Sequence, residues 1–344
     1  MSEDLQRNFS LHHTLSLYLV EAAESLDPDS PSFVLDLLAL VEAILENPRP
    51  ILIQQERKAK GELVAKLKAE GVPYEDRISR LESVTWPKPN AEFIYSTFNL
   101  FADRHPWIGG ENIRPKGIAR EMYEMFSSFE DYVGQGGFAR VEGLLLRYLS
   151  QIHGTLVRSV PDNLKNDDVY DMIGYFRSLV ADTDSSLLKE WENLIAPAEL
   201  AAAAGAEPEA PPPEPRKPDL AADPQSFRAR VRTEMHLLVR ALAAGRYPEA
   251  AVRVRQDPAD AWDEERFEVA LGPFLEEYGA IVFDPRARQA HLTLIKQRAP
   301  RRWDVHQVIV DEIGDNLWNL EGEIDLEDDP APEGPLVRLR RIGC

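Results

Sequence analysis

The chain has 344 residues, with 59 Asp and Glu against 39 Lys and Arg, 26 prolines, 19 glycines and one cysteine, for a formal charge of -20. That length predicts about two domains, the 44% hydrophobic content is enough for real cores, and lone Cys344 excludes a disulfide-stapled scaffold. No basic-then-apolar leader opens the sequence and no apolar run approaches about 18 residues, so the expectation is a soluble, cytoplasmic protein without membrane contact.

Residues 1–196 read as a helical domain of eight to ten helices with no convincing strand. Ser10 is placed to cap the first helix. Val34, Leu37, Leu38, Val41 and Leu45 recur at the spacing of one helix face behind Pro31. A long helical segment from Ile51 to Gly71 ends in a glycine suited to a left-handed cap. Proline and glycine punctuate the helices at Asp27-Pro28, Asn47-Pro48, Trp86-Pro87-Lys88-Pro89, His105-Pro106-Trp107 with Gly109-Gly110, and Pro161. Helix faces recur at Leu144 to Ile152 and at Val169 to Val180, and Asp184 is placed to cap a helix bearing Leu187, Leu188 and Trp191.

Residues 197–224 are Ala, Pro and Glu with almost no large apolar side chain, the composition of a linker that cannot bury a core. Residues 225–344 read as a smaller α+β domain. Phe227 to Ala243 and Trp262 to Tyr278 are helical, the second interrupted or restarted at Pro273. Ala290 to Lys296, Trp303 to Glu312, Leu317 to Leu326 and Leu336 to Ile342 have the period of two of strands. Short connections predict an antiparallel meander with helices on one face, by analogy a nuclear-transport-factor-like cone. The fold class is therefore mostly α, with an antiparallel sheet confined to the C-terminal domain.

Recognisable catalytic machinery is missing from the sequence. There is no P-loop, no His-Glu-x-x-His and no Gly-x-Ser-x-Gly. Gly134-Gln135-Gly136-Gly137 reads as a turn between helices because no strand precedes it. The tetrads Asp263 to Arg266 and Asp311 to Gly314 lack the context of a motor motif. The seven histidines form no ligand set: His12 and His13 diverge on a helix, His105 suits a loop anchor, and His291 and His306 fit strands. No metal and no cofactor is expected in this chain.

Two groups of basic residues stand out. Lys58, Lys60, Lys66 and Lys68 share one helix, with Arg77 and Arg80 on the next. They read either as a solvated, salt-bridged helix or as one wall of a groove tracking a phosphate backbone. In the second group, Pro115 starts a helix on which Lys116 and Arg120 share a face, and Arg140 and Arg147 share a face of the next long helix. Interhelical ion pairing with Glu121, Glu124 or Glu142 is the plainer reading there. Tyr123, Tyr132 and Phe138 are close enough to stack bases, although most such aromatics are core.

Several segments resemble the C-terminal region of bacterial DEAD/DEAH-box superfamily-two helicases, a domain of unknown function that follows the motor domains. They are Leu11 to Ala22, Leu40 to Gln55, Lys58 to Arg77, Trp86 to Pro89 (WPKP), His105 to Trp107, Arg114 to Glu124 (RPKGIAREMYE), Phe138 to Ser150 and Asp182 to Leu194, with Trp303 to Leu326 less distinctive. Gly117 and Val141 stand where that region is expected to carry Ser, and Gly134 to Gly137 is richer in glycine than usual. The resemblance implies an accessory region that docks on helicase motor domains, supplied in cis or in trans, and helps guide single-stranded RNA or DNA. ATP and magnesium would enter only through a motor domain that this sequence lacks. The eight basic residues above, Lys58, Lys60, Lys66, Lys68, Lys116, Arg120, Arg140 and Arg147, are the candidate strand contacts. The alternative expectation is a protein-interaction or regulatory module whose α+β domain binds a protein or small ligand; a free-standing enzyme is disfavoured.

Overall fold

The computed structural model describes residues 14–108, 112–183, 219–330, 332 and 334–344. The expectations at Ser10, His12, His13, Gly109-Gly110 and Asp184 to Trp191, and most of the expected linker, lie outside the described residues. Two compact units divide the chain, Met1–Ala196 and Pro197–Cys344.

The first unit is helical throughout: α1 (residues 14–23), α2 (Phe33–Ile44), α3 (Arg49–Ala69), α4 (Tyr74–Glu82), α5 (Ala91–Arg104), α6 (Ile118–Met125), α7 (Phe129–Gly136), α8 (Glu142–Ser159) and α9 (Asp167–Thr183). Helix α2 is its centre. The apolar positions expected to make one face are joined by Phe33, Leu40 and Ile44, and every residue from Leu37 to Ile44 is buried. A helix apolar on nearly all sides must be enclosed, and α6, α8 and α9 pack around it. Each fully buried Leu contributes about 2 kcal/mol relative to an exposed one. Helix α1 docks on α5 through Tyr18, whose hydroxyl donates to the Ile94 carbonyl at 3.0 Å and whose ring meets Phe98 edge-on at 5.2 Å.

Helix α3 leaves this core along its length. Its N-terminal half buries Ile51, Leu52 and Gln55, whereas beyond Gln55 only Leu67 is buried, and α4, which folds back after it, buries nothing. The reversal is made by Gly71 at φ +71°, with the Val72 amide returning to the Leu67 carbonyl. A side chain there would be strained, which is why glycine follows the helix end.

The second unit contains α10 (Pro224–Ala243), α11 (Tyr247–Val252), α12 (Glu264–Tyr278) and the strands β1 (Thr293–Ala299), β2 (Arg302–Val308), β3 (Asn319–Asp325) and β4 (Arg338–Gly343). The sheet is an antiparallel meander in the order β1-β2-β3-β4, with Val305 opposite Gly322 and Leu320 opposite Ile342. Alternation places Val305, Leu320 and Ile324 in one core with Val231, Met235 and Leu238 of α10 and Phe267, Leu271 and Phe274 of α12, and a register shift in the β3–β4 pairing lets both Leu339 and Ile342 of β4 join it. Trp262 fastens β4 to this core by donating its indole N–H to the Leu339 carbonyl at 2.8 Å.

Three details differ from the sequence reading. Pro273 lies inside a continuous α12 and does not interrupt it; the carbonyl its missing N–H leaves behind belongs to Val269, whose exposure lets water replace the bond. The short helix α11 was not foreseen. The last residues of the expected linker belong to the second unit: the Leu220 amide bonds the Pro330 carbonyl, and Asp219 pairs with Arg301.

Candidate functional site

The segments 40–55, 114–124 and 138–150 meet at one buried carboxylate. Glu42 is fully buried in α2, and its Oε1 accepts from the Ile118 and Ala119 amides, both at 2.8 Å, and from the Tyr148 hydroxyl at 3.0 Å. Its Oε2 accepts from the Arg120 amide at 3.1 Å. The side chain thereby caps the N-terminus of α6, where unpaired amides and the helix dipole favour an anion. Burial pushes the Glu42 carboxyl up, opposed by these amides, by the charge of Lys116 and by Tyr148. Lys116 is itself fully buried; its Nζ donates to the Leu45 carbonyl at 2.7 Å and the Arg114 carbonyl at 3.1 Å. Burial lowers its pKa to about 7, against the opposing pull of Glu42.

The WPKP turn closes over this hub. Trp86 donates its indole N–H to the Pro115 carbonyl at 3.3 Å, and a Cβ built on Gly117 would lie 2.9 Å from Pro89 Cδ. Only glycine permits that approach. Beside it Gln55 donates to Glu121 at 2.8 Å, Tyr132 donates to the same carboxylate at 2.9 Å, and Lys58 pairs with it at 2.9 Å. Burial and the Glu121 charge push the Tyr132 hydroxyl far up, so it is a donor at all ordinary pH.

These contacts redistribute the eight basic candidates. Lys116 is removed from the exposed set: it precedes α6, which begins at Ile118 instead of Pro115, and with no exposed surface it cannot reach a strand. Arg120 is held between Asp36 at 3.3 Å and Glu124 at 3.1 Å. Lys58 is engaged by Glu121, and Lys60 by Glu56 at 2.5 Å. Arg140 and Arg147 do not share a helix face, because α8 begins at Glu142 and Arg140 sits in the turn before it; both are exposed. Lys66 and Lys68 stand exposed in the last turn of α3, without an ion pair among the described residues. Tyr132 and Phe138 stack on each other at 5.1 Å inside the core, and Tyr123 packs on Tyr175 at 5.4 Å. The Tyr132–Phe138 pair is closed to bases.

The other motifs have structural explanations. Gly134 and Gly136 lie in the last turn of α7 and Gly137, at φ +66°, ends it. Asp263 caps α12 through the Arg266 amide at 2.9 Å. Asp311 accepts from the amides of Ile313, Gly314, Asp315 and Asn316, making the turn before β3. Burial would raise its carboxyl, yet those amides hold it below the usual range. His105 packs between Phe101 at 4.3 Å and Trp107 at 4.5 Å, an anchor for its loop. His291 lies in a single 3-10 turn before β1 and not in a strand, whereas His306 is in β2. Among the described residues, no three His, Cys, Asp or Glu side chains gather to hold a metal, and no helix is long and apolar enough to cross a membrane.

Sequence reasoning passed over an arginine group in the second unit. Arg232, His236 and Arg240 follow one another at four-residue spacing on a buried face of α10, and Glu249 of α11 faces Arg240 at 3.7 Å, Arg246 at 3.1 Å and Arg253 at 4.0 Å. Burial and Arg246 bring Arg240 down to about 10. The four-residue spacing was the available signal; the segment Phe227 to Ala243 was read as a helix without its polar face being followed.

The model of one family, a domain of unknown function called DUF3516, matches residues 1–342. No curated protein and no solved structure matches the chain. With the match covering both units, the chain belongs to the DUF3516 family.

Proposed function

We propose that this chain is a non-catalytic accessory module of a helicase-like machine, docking on motor domains and guiding single-stranded RNA or DNA by phosphate contacts and stacking. The observation that supports this reading is the α3–α4 hairpin. It projects Lys66 and Lys68, and α4 buries no residue while exposing Tyr74, with the Arg77 guanidinium 5.7 Å from its ring centre, and Ile78. Cations interleaved with an exposed aromatic are the usual chemistry of a strand-tracking surface. The same hairpin also carries Glu70, Glu75 and Asp76, so its grip is modest and a motor domain would supply most of it.

Fluorescence anisotropy of a labelled 20-mer of deoxythymidine or uridine tests this, with the full chain alone and with a helicase motor added. Binding should weaken steeply with salt, and K66E/K68E should flatten the salt slope by about 2. Binding independent of salt, or none at low salt with a motor present, overturns it. The second reading, an interaction module whose α+β domain holds a small ligand or protein, is favoured by the cleft described next.

A further inference from the structure

A cleft of about 460 Å³ opens in the second unit where the first turns of α10 meet β1 and the β1–β2 turn. One wall is apolar: Trp303 and Phe227, whose ring centres lie 4.6 Å apart, together with Ile295. The other polar side chains that line it are Arg228, Arg301 and Gln297, and no carboxylate does. Two acids that flank lining residues are already engaged, Asp219 by Arg301 at 2.5 Å and Asp223 by the Gln225 and Ser226 amides at the start of α10. Arg228 is exposed and makes no ion pair among the described residues. In a chain of formal charge -20, this concave site thus carries one guanidinium, that of Arg228, whose charge no paired acid among the described residues offsets, while Arg301 is neutralised by Asp219.

We propose that this cleft binds a small molecule that combines a flat aromatic ring with an anionic group, phosphate or carboxylate. The ring lies against the Trp303 and Phe227 wall, where flat apolar surface is removed from water. Arg228 grips the anion, since a guanidinium presents a planar fork matched to carboxylate and phosphate oxygens. Arg301, its charge offset by Asp219, contributes the edge of its guanidinium to the lining and not net charge, and Gln297 offers an amide donor and acceptor at the rim. The volume falls within the range of small-molecule sites. This site is separate from the α3–α4 hairpin and stands or falls independently of the nucleic-acid reading.

Saturation-transfer NMR on the full chain tests it with two anionic probes, adenosine 5′-monophosphate and indole-3-carboxylate, against their neutral counterparts adenosine and indole. Each anionic probe should bind about tenfold more tightly than its neutral counterpart, and the pair with the larger gain over its neutral member tells whether the site suits phosphate or carboxylate better. R228E should abolish that advantage. Arg228 is exposed and contributes nothing to the core, so the variant folds, which circular dichroism checks; K296E, a charge reversal on β1 outside the lining, should leave binding unchanged. Failure of both anions to bind at millimolar concentration, binding no tighter than the neutral compounds, or undiminished binding by R228E would each overturn the proposal.

Discussion

The Tyr148 hydroxyl donates to Glu42 Oε1 at 3.0 Å, joining α8 to α2 across 106 residues of sequence inside a site with no access to water. With three α6 amides on the same carboxylate and Lys116 close enough to influence it, this is the point on which the first unit is assembled. Removing one partner of a buried charged group leaves the others without compensation, at a cost of about 3–5 kcal/mol. E42A should therefore cost that much in urea unfolding of the full chain. E42Q, which keeps one acceptor oxygen, should cost less, and Y148F about 1–2 kcal/mol. Equal, small losses for all three would show that the hub is dispensable.

Lys116 gives that hub a pH signature. Its folded pKa, near 7, lies below the usual lysine value of 10.5, so the unfolded chain holds more protons between these values and stability rises with pH across that window. In K116M this component of the rise should vanish, seen as a smaller gain in melting temperature between pH 7 and pH 9. An unchanged gain would place Lys116 in water.

His153 acts in the acid range. Burial, reinforced by Arg177 and Arg158, lowers its pKa to about 4. The stability of a neutral buried imidazole is complete above the unfolded value near 6.5 and is lost as pH falls toward 4. H153F should be less sensitive than the parent chain to a shift from pH 7 to pH 4.5 in thermal unfolding.

Gly117 is where a single methyl group would separate two motifs. A Cβ there would approach Pro89 Cδ to 2.9 Å, so G117A should push the WPKP turn off α6, cost about 1–3 kcal/mol and shift the Trp86 emission. G117S, the residue the helicase-like resemblance leads one to expect, should do the same unless Pro89 moves. An unaltered emission spectrum in both variants would mean that the turn yields freely.

Helix positions and the C-terminal meander were legible in the sequence because their apolar periods are long and uninterrupted. Leu37, Leu38 and Val41 announce α2, and the alternation through Leu320 and Ile324 announces β3. What periodicity could not carry was the fate of polar side chains. Lys116 and Arg120 look equivalent at four-residue spacing, yet one ends in the core and the other on Asp36, because α6 starts three residues after Pro115. Glu42 was equally hidden: its role depends on amides 76 to 78 positions away. The RPKGIAREMYE motif and the segment around Tyr148 thus coincide with a structural hub. Likeness in those motifs speaks first to the fold.

The outer face of the sheet has a bearing on the charge of the whole chain. Arg298, Arg302, Arg338, Arg340 and Arg341 pair there with Asp304, Asp325, Glu327, Glu323 and Glu321. Positive and negative groups interleave so evenly that, at distances beyond a few ångströms, their fields largely cancel. A polyanion drifting past would be neither drawn in nor turned away by this face. The twenty excess negative charges are therefore carried on other surfaces, which set the direction from which a charged partner is steered.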